Sequence, residues 1–366
     1  MKIAVIKLGS RIAIGSSGTS GGTGEALSVI QCLTTAGAEV TAYTKVLSKD
    51  SASSTFLVKD LIDNFDDINK NDVLVVLNGN VTYFGGQDDP YQTNNYKAIN
   101  HFKGKVFYIL CDINLVLKQI WNSIEKKEWA DKYKKEDIYI TRDDIVYVSQ
   151  PRNTDFVLDK ARRQGVNVKE AIHFPFEKFP LVTMKRPLPF NESPIKDISY
   201  GGTFRGGKRE DDMVKFYFGY PEEVKIEMFG KLSEKDFNPK KTDGLRPPEF
   251  NGSVAYDEFP KRMNKAKSTI IIGDKEYKKA DDLAQRIYEC ILSRNIVFID
   301  SSYDFNKRVF KNEKLKKFCY VNNREDVIKR LSLISEKDRL AITEKQIEDT
   351  RIDVNEYCNE LLNILK

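Results

Sequence analysis

Strand and helix signals alternate on both sides of one proline-rich stretch, and this arrangement limits the possible folds more than any other feature of the chain. Residues 174–194 hold five of the twelve prolines, namely Pro175, Pro180, Pro187, Pro189 and Pro194, so this stretch reads as a linker. Proline lacks a backbone donor and resists regular structure. Before the linker, residues 2–8, 73–77, 105–110 and 144–149 are apolar runs of strand length, and residues 25–36 carry apolar side chains near helical spacing. After it, residues 197–200, 224–229, 268–272 and 296–300 read as strands, and residues 209–218 and 280–292 as helices. Such alternation predicts parallel sheets with helices on both faces. The expected class is α/β, with two Rossmann-like domains facing a central cleft. A chain of 366 residues is long enough for both cores. Residues 336–366 read as one or two further helices, and the halves show no repeat of each other.

Composition narrows the class. No apolar run approaches the ~20 residues of a membrane span, and the opening residues form a strand pattern too short for a signal peptide. The five cysteines are scattered, the histidines are only His101 and His173, and no ligand spacing joins them, so no structural zinc site is expected. The cysteines read as reduced and intracellular. A net charge of +5 permits a polyanionic partner without requiring one. The basic runs at 126–135, 160–163 and 307–317 fit ordinary solvated helix faces.

The most informative local stretch is residues 200–210, which places four glycines and three cations in eleven residues after a strand. Glycine lets a backbone approach a ligand closely, and the planar forks of Arg205 and Arg209 suit phosphate oxygens. The helix that follows would point its anion-attracting end at the loop. Gly202, Gly207 and Lys208 fit the G-x-x-x-x-G-K pattern, but Arg209 stands where a nucleotidase P-loop needs Ser or Thr. The reading is a diphosphate cradle neutralised by side-chain cations, against the plainer alternative of a glycine-rich turn with solvated cations. No Asp-x-Asp triplet occurs, which agrees with a site built without protein metal ligands.

Other candidates are individually weaker. Asp112 follows the strand at 105–110, a position suited to a general base but more commonly held by a helix-capping aspartate. Arg286 and Glu289 share a helix face, as a salt bridge or as a grip on phosphate and ribose hydroxyls. Residues 15–24 form a glycine- and serine-rich loop without dinucleotide-binding spacing, read as a mobile lid or a plain surface loop, and Glu25 sits at the expected helix start.

Several segments, in order, resemble the DNA β-glucosyltransferases of T-even-type bacteriophages. They are residues 1–6, Phe84-Gly-Gly86, Cys111-Asp112-Ile113, residues 200–205, Glu227-Met-Phe-Gly230, residues 271–275 and residues 318–324. The resemblance runs through most of the chain. It implies the GT-B glycosyltransferase fold, with the C-terminal helix crossing back to the first domain. The implied domains are 1–180 completed by 345–366, on the DNA side, and 195–344, on the UDP-sugar side. It makes Asp112 the catalytic base and Glu25 an acid near sugar and acceptor. Arg205 and Arg209 become the diphosphate arginines, with Gly202 and Thr203 offering backbone and hydroxyl. Arg286 and Glu289 become the phosphate and ribose pair. Asp274 and Tyr277 line the donor site, and Phe229, Gly230 and Val254 fall where uracil sits.

The activity implied is inverting transfer of a sugar, glucose foremost, from a UDP-sugar to 5-hydroxymethylcytosine in double-stranded DNA, with the base flipped out. No tightly bound cofactor and no metal-ligating residues are expected, although Mg2+ or Mn2+ assists family members at product release. The implied state is a monomer without membrane partners, in the cytoplasm of the infected bacterial host. The chain departs from the family pattern at the richer 15–24 loop, at Thr82 in place of an asparagine, and over residues 114–129. These segments face sugar and DNA, so UDP-arabinose or another UDP-pentose is an alternative donor. A small-molecule glycosyltransferase and a non-catalytic nucleotide- or DNA-binding relative also compete with this reading.

Overall fold

The computed structural model describes residues 1–8, 12, 21–46, 53, 55–77, 90–117, 119, 139–184, 186–204 and 207–366. Its internal contacts divide the chain into two units, Met1–Phe176 with Asp353–Lys366, and Glu177–Ile352.

The first unit is built on a parallel sheet of β1 (Lys2–Lys7), β2 (Glu39–Thr44), β3 (Leu57–Asp60), β4 (Val73–Leu77), β5 (Lys105–Leu110), β6 (Val146–Ser149) and β7 (Glu170–His173). The strand order is β3-β2-β1-β4-β5-β6-β7. β1 pairs with β2 through Ile3↔Val40 and with β4 through Ile3↔Val73, so the order reverses between β1 and β4. β4, Val-Leu-Val-Val-Leu, is buried at every residue. A strand with no polar alternation needs cover on both faces, as parallel sheets provide. The helix Gly21–Thr35 packs against the C-terminal helix Val354–Ile364. That last helix is tied down within this unit by Tyr357, whose hydroxyl donates to the Pro175 carbonyl at 2.9 Å.

The second unit repeats the design with β8 (Lys196–Thr203), β9 (Ile226–Lys231), β10 (Glu249–Asn251), β11 (Ala266–Ile271), β12 (Ile296–Asp300) and β13 (Tyr320–Val321). All pairs are parallel and the order is β10-β9-β8-β11-β12-β13, which reverses between β8 and β11. The helix Glu336–Asp349 belongs here. Gln346 accepts from the Val297 amide at 3.3 Å and donates back to its carbonyl at 3.2 Å, extending the edge of β12 with a side chain.

Four sequence expectations are corrected. The stretch 174–194 is not wholly irregular: it contains the helix Phe179–Thr183, with Pro180 in the first turn, where a missing N–H costs nothing. β8 runs on to Thr203, so Gly201, Gly202 and Thr203 lie in the strand, paired with Phe229, Gly230 and Lys231. The helix expected at 280–292 is two helices, Lys275–Ala280 and Arg286–Leu292, separated where Asp281 adopts the left-handed conformation at φ 52°. The first helix starts at Gly21, which puts Glu25 in its second turn.

Candidate functional site

In an open parallel sheet, ligands bind past the carboxyl ends of the strands where the order reverses. In the second unit that point is flanked by Gly202–Thr203 of β8 and by Gly273–Asp274 after β11. Glycine is required at several of these positions. Gly230 has φ +126°, and a Cβ there would collide with the Gly202 carbonyl on the neighbouring strand. A Cβ on Gly201 would run into the rings of Phe259 and Phe229, and one on Gly202 would come 2.8 Å from the Tyr200 hydroxyl. The two backbones thus converge to a separation that no side chain permits, with the aromatic rings of Phe229 and Phe259 packed beside them.

Arg209 immediately precedes the helix Glu210–Tyr217, at its N-cap position but with no capping bond from its side chain. Its guanidinium lies over the Tyr277 ring at 5.1 Å, and its Nε is 3.9 Å from Asp274 Oδ2. The side chains are 14 % and 2 % exposed, and neither Arg209 Nε nor Asp274 Oδ2 has a hydrogen-bond partner among the described residues. Asp274 spends its other oxygen on the helix Lys275–Ala280, accepting from the Glu276 and Tyr277 amides at 2.9 and 3.0 Å. Burial pulls the Arg209 pKa down, but Tyr200, Tyr277, Tyr303 and Asp274 more than offset this and hold it above the ordinary arginine value. The result is a permanently charged cation, mostly withdrawn from water, with a donor left over.

Arg286 is fixed on three sides. Its Nη1 donates to the Gly201 carbonyl at 2.5 Å, its Nε lies 2.8 Å from Glu289 Oε2, and its face lies 3.8 Å from the centre of the Phe259 ring. The salt-bridge reading of Arg286 and Glu289 is therefore realised, and it orients the pair beside the β8 glycines. Phe229 is buried and packs on Phe259 at 5.6 Å. Its ring supports the backbone at Gly201 and presents no open face. Val254 is 36 % exposed in the coil after β10. Thr203 is exposed at the end of β8. Arg205 and the Phe84-Gly-Gly86 turn lie outside the described residues, as do Thr82 and most of the 15–24 loop.

In the first unit Asp112 follows β5 and Cys111. It caps the short helical turn Ile113–Leu115, its Oδ1 accepting from the Asn114 amide at 2.8 Å and from the Asn114 side chain at 3.0 Å. The capping role and the position at a strand's carboxyl end coexist, and the cap fixes the rotamer of a partly exposed carboxylate. Glu25 is half-buried. Its neighbourhood includes Lys7 at the carboxyl end of β1, 5 % exposed, whose pKa is lowered by burial and partly restored by Glu25. Lys7 was not among the expected site residues, although a lysine closing an apolar strand is a visible signal. Tyr303 and Phe259 were missed as well, because aromatic residues in a core-forming sequence carry no mark of proximity to a site.

Among the described residues no three His, Cys, Asp or Glu side chains are grouped to hold a metal ion. Among the same residues no helix is long and apolar enough to cross a membrane.

Two all-parallel sheets, each with a reversal of strand order, make two Rossmann-like α/β units, the architecture of GT-B glycosyltransferases. A family described as bacteriophage T4 beta-glucosyltransferase matches residues 1–180. The DNA beta-glucosyltransferase of Enterobacteria phage T4 is 30 % identical over 274 residues, covering 75 % of this chain and 76 % of that protein. The chain belongs to that family. A solved structure of T4 phage BGT in complex with UDP and Mn2+ matches at a TM-score of 0.82 and 26 % identity over 100 % of both chains. A glycosyltransferase involved in avilamycin A biosynthesis matches at 0.52 and 9 % identity, over 99 % of this chain and 96 % of that one, a likeness of fold alone.

Proposed function

We propose that the protein transfers a sugar, glucose foremost, from a UDP-sugar to the hydroxymethyl group of 5-hydroxymethylcytosine in phage double-stranded DNA. Family membership makes the chain a UDP-sugar-dependent DNA glycosyltransferase. The observation that carries the donor half of the reading is the buried Arg209 guanidinium at the reversal of the second sheet, charged and with Nε unpartnered among the described residues. A nucleoside diphosphate supplies the anionic oxygens such a group lacks.

In this reading Arg209, Arg205 and Arg286 hold the diphosphate, Gly202 and Thr203 contribute backbone and hydroxyl groups, and Glu289 accepts from the ribose hydroxyls. Asp274 and Tyr277 fix Arg209, while Gly230 and Val254 border the uracil and the buried Phe229 ring packs behind the strand. The acceptor cytosine leaves the base stack, because its hydroxymethyl oxygen must reach the anomeric carbon. Contacts to DNA phosphates from Lys and Arg supply most of the affinity and none of the base choice.

The hydroxymethyl oxygen forms the new bond to the anomeric carbon as the bond from that carbon to the diphosphate oxygen breaks. The proton of the attacking hydroxyl goes to Asp112, and the electron pair of the broken bond stays on the departing UDP. The arginines stabilise that growing charge. One in-line displacement inverts the anomeric centre. Glu25 stands beside the sugar and acceptor. The protein acts as a monomer in the infected host's cytoplasm.

The test is mass spectrometry of nucleosides from hydroxymethylated DNA after incubation with each of a panel of UDP-sugars. Glucosylated hydroxymethylcytosine from UDP-glucose is expected. Transfer only from a UDP-pentose would replace the donor assignment, and tight UDP binding with no transfer from any donor would overturn the enzymatic reading.

A further inference from the structure

We propose that Tyr303, which lies just past β12, is a positioning residue for the UDP-sugar, joining the two segments that carry the donor-binding side chains. The inference rests on the donor-site reading above. Tyr303 is 2 % exposed, and its hydroxyl oxygen accepts from the Ala284 amide at 2.7 Å. Ala284 in turn accepts from the Ile287 amide at 3.1 Å, in the first turn of the helix that presents Arg286 and Glu289. The Tyr303 ring lies flush against Gly273, where any Cβ would collide with it. The residue after Gly273 is Asp274, the partner of Arg209.

Tyr303 is itself held firmly. Its amide donates to the Asp300 carbonyl at 2.9 Å. The next residue, Asp304, is fully buried and accepts from the Arg308 amide at 2.8 Å, from the Val309 amide at 3.1 Å and from the Tyr320 hydroxyl. The segment after β12 thus has anchors of its own, beside the ties that Lys278 makes to Ser302 and Arg308 makes to Asp281. One side chain therefore sets the start of the Arg286–Glu289 helix with its hydroxyl and the Gly273–Asp274 turn with its ring. A residue that only filled the core would need the ring and not the hydroxyl.

Isothermal titration with UDP separates the two roles. Tyr303→Phe keeps the ring against Gly273 and removes the tie to Ala284. It is expected to weaken UDP binding about tenfold, the loss of one buried hydrogen bond read at the ligand. Combined with Glu289→Gln, it should lose less than the product of the two single losses, because it acts through the helix that carries Glu289. Gly273→Ala, which displaces the ring instead, should weaken UDP binding to a similar degree and serves where the first variant folds poorly. Unchanged UDP affinity in Tyr303→Phe or Gly273→Ala, or strictly multiplicative losses in the double variant, overturns the inference. If Glu289→Gln itself leaves UDP affinity unchanged, the donor-site reading falls first and takes the inference with it. A loss in Glu289→Gln beside none in Tyr303→Phe removes the inference alone.

Discussion

Arg209 Nε and Asp274 Oδ2 stand 3.9 Å apart, too far for a hydrogen bond, and neither atom has a partner among the described residues although both side chains are largely buried. A buried polar atom without a partner costs about 1–3 kcal/mol, more when charged. An anion at Arg209 would supply the acceptor that the guanidinium lacks, while Asp274 Oδ2, an acceptor itself, needs a donor from elsewhere.

Arg209→Lys should therefore fail to restore what Arg209→Ala removes. A lysine keeps the charge but loses the planar fork and the face that lies over Tyr277. UDP titration should show a loss of about a hundredfold for alanine, a charged hydrogen-bonded contact in a desolvated site, and nearly as much for lysine. Uridine, which has no phosphate, should bind both variants as it binds the parent. A lysine variant with parental UDP affinity would show that the site needs only a point charge.

Asp112→Asn should abolish sugar transfer and leave UDP affinity unchanged. The asparagine retains an oxygen for the Asn114 amide, so the local turn survives while the proton acceptor is lost. Removing a general base costs typically 10²–10⁴-fold, roughly, in rate. Single-turnover transfer to hydroxymethylated DNA measures this. Turnover at the parental rate would remove Asp112 from the mechanism and leave it as a cap.

The two-sheet architecture was legible because fully buried parallel strands such as β4 read as unbroken apolar runs. The edge strands β3 and β10 were not, since Leu57–Asp60 and Glu249–Asn251 are short and partly exposed and carry no such run. At the site, Arg209 and the glycines stood out because their residue types are unusual in combination. The extension of β8 to Thr203 was hidden because glycine weakens strand signals. Here it is explained by the Gly202↔Gly230 pairing, a contact between segments 28 positions apart by their numbers. The break at Asp281 was hidden because aspartate, although enriched in the left-handed region, adopts that conformation at only a minority of its positions.

Gly230→Ala should remove UDP binding and lower the melting temperature together. The φ of +126° is strained for any L side chain, and the added methyl meets the Gly202 carbonyl, which is backbone and cannot rotate away. Strain of this kind costs about 1–3 kcal/mol before the collision is counted. Differential scanning fluorimetry with and without UDP reads both effects. A variant that melts like the parent and is still stabilised by UDP would show that the close approach of β8 and β9 is dispensable.

Glu210 gives the donor loop a dependence on pH. It is the first residue of the helix after Arg209, and it binds Lys241 Nζ at 2.5 Å and the Asn238 amide at 2.5 Å. The hydrogen bond from Lys241 is the main cause holding its carboxyl below the ordinary value of 4.5, with the Asn238 amide adding to it and burial opposing it. A carboxylate with a lower pKa in the folded state binds fewer protons there than when unfolded, so its contribution is fully present above the ordinary value. It is lost as pH falls through the lowered one. Glu210→Gln should therefore melt below the parent at about pH 7, with the gap narrowing as pH falls below the ordinary carboxylate value and closing once the parent's carboxylate is protonated as well. Thermal melts of both proteins across that range measure the gap. A difference independent of pH would mean that Glu210 acts through shape and hydrogen bonding alone, and that the helix behind Arg209 owes nothing to its charge.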